Sequence, residues 1–241
     1  ASDGLSLTVV VPDTAVTGRV RLSEETGGLI LQIVPTLGDI NISSGYYSDG
    51  AALTLIGSGL VDGAQTVLLG TAIGAGGATS VQDLWKADGP DAYHTNVAGT
   101  YRANVAASLN LPADPPSGPV KVRTLGGTSA AFPIGFTGIE AGTVADRGTP
   151  ANAAIASANV REAVTLLGSG FDTTTQVIFP IQSSSGAGAD YRGTRLITPT
   201  AVAADGTSMT VLVPDDAVTG DLRIVGAEGA YRLQIVPTIV Q

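Results

Sequence analysis

The chain has 241 residues and a formal net charge of −9, from 12 Lys and Arg against 21 Asp and Glu, with no cysteine and one histidine. That balance excludes a nucleic-acid-binding surface, which needs basic side chains to displace counterions, and argues against an anionic membrane; the missing thiols exclude disulfide staples, thiolate catalysis and Cys–zinc sites. With 32 Gly, 13 Pro, 5% aromatic and 44% hydrophobic residues, the composition describes short strands and tight turns with enough apolar content to bury cores, and it excludes disorder.

Taken in order, Ala1-Ser2-Asp3 reads as a mature start or as the start of a fragment. Leu5, Leu7, Val9 and Val11 alternate with Ser6, Thr8 and Val10, the period of a strand with one buried face. Pro12-Asp13 ends that strand, Thr17-Gly18 turns into Val20 and Leu22, and Gly27-Gly28 makes a hairpin into a last strand through Leu29, Leu31 and Ile33. Next, Leu53, Leu55 and Gly57 alternate, Gly57-Ser58-Gly59 bends the chain, and a strand follows over Val67–Leu69. Ala151 to Glu162 comes closest to a helical stripe, but its Asn and Ser content and the strand pattern after Ala163 predict no long helix. No apolar run reaches the roughly 18 residues that span a bilayer.

Internal repeats decide the architecture. Residues 3–18 recur at 205–220, and the ungapped match runs on to Leu31-Gln-Ile-Val-Pro-Thr36 and Leu233-Gln-Ile-Val-Pro-Thr238. A weaker copy lies between them, at Ser108-Leu-Asn-Leu-Pro112 and Ser117-Gly-Pro-Val-Lys-Val-Arg123. A second pattern, Leu53-Thr-Leu-Ile-Gly-Ser-Gly59 with Gln65-Thr-Val-Leu-Leu69, recurs at Val164-Thr-Leu-Leu-Gly-Ser-Gly170 with Gln176-Val-Ile-Phe179. The chain thus holds two front halves and three back halves, and the copies lie about 100 residues apart, the size of one β-sandwich.

These residues resemble the IPT/TIG-type immunoglobulin-like domains: the Gly-Ser-Gly bend after a Val/Leu-Thr-Leu strand, then Asp-Gly-x-Ser-Met/Leu-Thr-Val-x-Val-Pro and Ala-Val-Thr-Gly. The resemblance covers nearly the whole chain, best in the terminal copy and loosest at Gly74 to Asn104. It implies an all-β fold of tandem immunoglobulin-like (E-set type) antiparallel β-sandwiches. The expected units are 38–138 and 139–241, preceded by an incomplete back half at 1–36. In that family such modules serve in bacterial surface proteins and adhesins, in receptor ectodomains, in secreted polysaccharide-degrading enzymes and in some transcription factors. None of the motif residues is catalytic there, and the acidic charge disfavours the last role.

Chemistry is sparse. His94, flanked by Asp88 and Asp91, stands without a second nitrogen or sulfur ligand and reads as a surface-loop residue. Ser58 and Ser169 lack the Gly-x-Ser-x-Gly frame of a strained nucleophile, and Gly74-Ala-Gly-Gly77 and Gly186-Ala-Gly188 lack the Lys-Ser/Thr of a phosphate loop. No catalytic residue is expected. Calcium is the one cofactor that the acidic pairs allow, with Asp88 and Asp91 as weak ligands and Asp215, Asp216 and Asp39 as further oxygen donors. Trp85 and Tyr93 fall in an extended segment; an anchor pinning that segment is the first reading and a recognition surface for protein or sugar the second. Together these features predict an extracellular, cell-surface structural or adhesive repeat protein. Its expected partners are neighbouring copies, a surface protein or a glycan. An accessory module of a secreted glycan-degrading enzyme is the alternative. Short Pro-containing junctions at Val34–Gly38 and Phe136–Glu140 fit a rod.

Residues 1–36 carry a further expectation. Their apolar face needs strands from outside residues 37–241, either from an upstream front half or from a neighbouring molecule. The complete C-terminal copy favours the upstream source.

Overall fold

A computed structural model describes residues 5–12, 15–24, 26–48, 50–60, 65–73, 79–87, 106–111, 115, 117–185 and 189–238, with backbone alone for 65–73, 79–87, 106–109, 183–185 and 189–192. Among the described residues there is no helix, and the segment 151–162 is turns and one short strand. The fold is all-β.

The first back half forms a hairpin of β1 (Gly18–Val20) and β2 (Leu29–Leu31), antiparallel, with Gly18 opposite Leu31 and Val20 opposite Leu29. Residues 5–12, expected as a strand, adopt no ladder. Alternation marks a face that needs a partner strand, and none of the described sheets includes this segment. The hairpin's stem rests on the next unit. A Cβ at Gly126 would collide with the Ile33 carbonyl, and Gly59 lies 3.3 Å from Pro35 in the same sense.

The next unit runs through β3 (Thr36–Ile42), β4 (Ala52–Ser58), β5 (Gln65–Ile73), β6 (Thr79–Ala87), β7 (Ala106–Asn110), β8 (Val120–Thr124) and β9 (Gly127–Thr128). These pair antiparallel as a three-stranded sheet, β3-β4-β7, and a four-stranded sheet, β6-β5-β8-β9. Ile40, Ile42, Leu53, Leu55, Leu60, Leu111, Val120 and Val122 form the core. The alternation expected around Leu53 holds, with Leu53 and Leu55 buried and Ile56 outward.

The last unit comprises β10 (Gly135–Ile139), β11 (Ser157–Ala158), β12 (Ala163–Ser169), β13 (Val177–Ser185), β14 (Ala189–Ile197), β15 (Ala201–Val202), β16 (Ser208–Leu212), β17 (Gly220–Ile224) and β18 (Tyr231–Ile235). Its sheets are β10-β12-β16-β15 and β11-β18-β17-β13-β14, antiparallel throughout except for the parallel pair β11–β18. Phe136, Val164, Leu166, Val177, Phe179, Val211, Leu222, Ile224 and Leu233 fill the space between them. Phe136 meets Tyr231 edge to face at 4.8 Å between ring centroids, a favoured aromatic arrangement. The segment 136–140, expected as a junction, is therefore largely strand, and this strand set starts at Gly135 rather than 139.

The Gly-Ser-Gly bends have a steric cause. Each sits at a bulge where β3 or β10 changes register. A Cβ at Gly57 would strike the Thr36 carbonyl, and one at Gly168 the Gly135 carbonyl. Gly59 and Gly170 then turn the chain at φ 66° and 70°, a conformation that side chains disfavour.

The two larger units share a joint. Along β13, Val177 and Phe179 belong to the last core, whereas Ile178 packs with Leu196 and Val225 into the cluster of Ile40, Ile42 and Tyr47. That sheet is buried on both faces here, as continuous apolar strands are. Gln176 crosses the joint: Ile42 N–H donates to its Oε1 at 2.8 Å and its Nε2 donates to the Ile42 carbonyl at 2.8 Å. Tyr47 N–H donates to Thr194 Oγ1 at 3.1 Å, that hydroxyl donates back to the Tyr47 carbonyl at 2.8 Å, and Leu196 N–H reaches the Gly45 carbonyl.

Candidate functional site

Trp85 lies on β6, where it pairs with Val67. β6 is the outer strand of its sheet, so Trp85 belongs to a sheet edge within the extended segment that the repeat pattern did not cover. Local spacing missed this because β6 pairs with β5 through two register shifts, which blur a period-2 pattern. Tyr93, Asp88, Asp91 and His94 lie outside the described residues, as do Gly74–Gly77 and Gly186–Gly188.

The remaining acidic candidates are occupied. Asp215 receives Arg161 in a two-pronged bridge, Nε to Oδ1 at 2.6 Å and Nη2 to Oδ2 at 2.9 Å. The Arg161 hydrogen bonds hold the Asp215 carboxyl below the usual carboxylate range. Asp216 faces the other way and meets Arg195 at 2.8 Å. Each of these neighbouring carboxylates therefore pairs with its own arginine, and Asp216 Oδ1 is buried without a hydrogen-bond partner among the described residues. Asp39 caps locally, with Oδ1 accepting from Ile40 N–H at 2.8 Å. Among the described residues, no group of three His, Asp or Glu side chains is placed to hold a metal ion.

Asp172 shows a structural use of carboxylate. Burial pushes its pKa up, but the hydroxyl and amide donors of Thr174 and Thr175 outweigh that and leave it below its ordinary value. This Asx turn closes the loop that feeds Gln176 into the joint, a common duty for Asp. Asp205 is lowered in the same way by Thr207. Tyr47 is shifted upward, mainly by burial, with Arg223 opposing. Nearby, Arg195 lies over the Tyr46 ring at 5.9 Å.

Two surfaces could engage a partner. One is a polar crevice of about 190 Å³ at an end of the last unit, lined by Asp146, Arg147, Asn159, Arg161, Glu162 and Thr238. Its walls are mutually bonded: Glu162 accepts from Asn159 and Asp146 N–H, and Asn159 bridges the Arg147 and Val236 carbonyls. Arg161 sits there at φ 65°, held by the bond from its N–H to the Val213 carbonyl and by Asp215. The other surface is the hairpin region, where Leu5, Leu7, Val9, Val20, Leu22, Leu29 and Ile30 are all exposed. Alternation alone reads Leu5, Leu7, Val9 and Leu29 as a buried face; the internal repeat is what marks that face as needing strands from elsewhere.

No family model and none of the curated proteins matches the chain. A solved structure described as "Crystal structure of with xylogluco-oligosaccharide" is similar at 14% identity with a TM-score of 0.26, over 83% of this chain and 41% of that one. The chain thus spans less than half the length of that protein, and a likeness this slight carries no argument about fold or ligand.

Proposed function

We propose that the chain is a tandem array of immunoglobulin-like (E-set type) sandwiches of the IPT/TIG kind. It acts outside the cell as a structural or adhesive repeat protein, touching neighbouring copies, a surface protein or a glycan, and it is not itself catalytic. Strand order supports the module type. With the two-residue strands β11 and β15 set aside, each larger unit repeats one arrangement, its first, second and fifth strands in one sheet and its third, fourth, sixth and seventh in the other, which differs from the seven-strand immunoglobulin sandwich only in the sheet that the fourth strand joins. The parallel β11–β18 pair adds an early strand to the second sheet.

The observation that carries the reading is the shared joint. Ile178, Leu196 and Val225 of one unit complete the core cluster of the other, and Gln176 satisfies both backbone groups of Ile42. Modules fused this way keep a fixed spacing, which suits a scaffold that presents its edges and ends. A single histidine and no cysteine support the non-catalytic part, since nucleophile–base pairs have little to draw on.

The test is to immobilise the chain and measure binding of a second copy, of defined surface-protein ectodomains and of a soluble glycan panel, beside polysaccharide hydrolysis. Self-association or protein binding without turnover is the expected result. Turnover would overturn the reading. Binding confined to glycans and lost in Trp85→Ala, with no self-association and no protein binding, would favour the accessory-module alternative over a structural array.

A further inference from the structure

The hairpin at residues 18–31 matches the hairpin that forms one part of the C-terminal sandwich. Its register is that of the C-terminal copy moved by 202 positions: Gly18 faces Leu31 as Gly220 faces Leu233, and Val20 faces Leu29 as Leu222 faces Tyr231. The details repeat. Ile33 N–H donates to Thr17 Oγ1 at 2.9 Å, and Ile235 N–H donates to Thr219 Oγ1 at 2.9 Å. Ala15 N–H reaches the Pro12 carbonyl as Ala217 N–H reaches that of Pro214.

The covering differs, and with it one strand, since residues 5–12 form no ladder where Ser208–Leu212 is β16. Val20 is 51% exposed where Leu222 is 1%, Leu22 is 63% where Ile224 is 0%, and Leu7 is 72% where Met209 is 1%. In the C-terminal copy the cover is the front half, including Val164, Leu166, Val177 and Phe179. The outer edge of its hairpin is closed by β11, with Gln234 Nε2 donating to the carbonyls of Asn152 and Ile155. The matching Gln32 is exposed.

The geometry points to one occupant for this face: a front half of the kind at residues 133–204, contributed by polypeptide outside residues 1–241 and joined ahead of Asp3. Two arguments select it. In both larger units the back half is covered by the front half that precedes it in the chain, β3–β6 before β7–β9 and β10–β14 before β16–β18. A second copy of residues 1–241 also has no front half to spare, because each of the two within that span is already paired with the back half that follows it. The inference stands whether or not the adhesive role does.

The test places residues 133–204 directly ahead of Asp3 of the full chain, so that the new junction copies Ala204–Asp205. Amide hydrogen exchange of residues 18–33 should slow by on the order of 100-fold or more relative to the unextended chain, from local opening to near-global opening, and binding of an apolar dye should be lost. Val20→Asp in the extended chain should restore fast exchange there while leaving the melting of residues 36–238 unchanged. Exchange in the extended chain as fast as in the unextended one would overturn the proposal. So would an unextended chain that sediments as a dimer with the same amides already protected, since the occupant would then be a second copy.

Discussion

Gln176 and Ile42, 134 positions apart in sequence, are joined by two hydrogen bonds of 2.8 Å, with the glutamine amide taking the place of a neighbouring strand for both backbone groups of Ile42. Ile42 is 1% exposed, so nothing else is at hand to satisfy those groups if the amide is removed. Leaving a buried donor and acceptor unpaired costs about 1–3 kcal/mol each. Gln176→Leu should therefore lower unfolding stability by about 2–5 kcal/mol in a urea titration, and Gln176→Ala by at least as much.

Ile178 should behave as a residue of the unit it does not belong to. It lies on β13 but packs in the cluster of Ile40, Ile42 and Leu53. Ile178→Ala should cost about 2–5 kcal/mol. Hydrogen exchange should show the loss on β3 and β4, whereas Phe179→Ala, one position on, should unprotect β16 and β17.

Gly57 and Gly142 separate steric from conformational demand. A Cβ at Gly57 would overlap the Thr36 carbonyl, while at Gly142, with φ 84°, it would meet nothing. Gly142→Ala should cost only the left-handed penalty of roughly 1–2 kcal/mol. Gly57→Ala should cost more, because backbone must move. Differential thermal melts of the two variants give the comparison.

Tyr47 sets an alkaline limit. Its folded pKa is raised above the ordinary 10.0 by burial, so above pH 10 the unfolded chain releases a proton that the folded chain keeps. The folded state then binds more protons, and stability falls as pH rises, by up to about 1.4 kcal/mol per pH unit beyond 10. Tyr47→Phe should flatten the stability profile from pH 10 upward, read as the slope of unfolding free energy against pH.

Asp172 works at the other end. Its folded pKa is depressed by Thr174 and Thr175 against the opposing effect of burial. Its contribution is thus present above the ordinary carboxylate value of 3.8 and lost as pH falls through the lower folded value. Asp172→Asn should reduce the acid sensitivity of unfolding below about pH 4.

The repeat made the halves of each unit legible in the amino-acid sequence, because residues 3–36 and 205–238 share their turn chemistry at Pro-Asp and Thr-Gly as well as their apolar spacing. It also singled out residues 1–36 as lacking a cover. What it left hidden follows from long-range pairing. Ile178 carries the same local signal as Val177, and only the tertiary arrangement sends the two to different cores. Leu5 to Val11 have a strand's alternation but no ladder, since a strand is completed by its neighbour. Asp215 and Asp216 read alike as calcium oxygens, yet each faces its own arginine. Trp85, expected in an extended segment apart from the repeat pattern, lies on β6, whereas Tyr93, Asp88 and Asp91 lie outside the described residues.

The connection between the two larger units has a consequence for proteolysis. From Ser129 to Ile134 the chain is fastened to what precedes it: Ser129 N–H reaches the Val122 carbonyl, Ser129 Oγ accepts from Val122 N–H, and Phe132 N–H reaches the Val120 carbonyl. A protease needs a stretch that can detach and thread through its cleft, and exposed loop tips supply it far more readily than pinned segments do. Nicking between residues 129 and 134 should therefore wait until β8 itself opens. Limited digestion should then release the two units together, as one fragment with the joint intact.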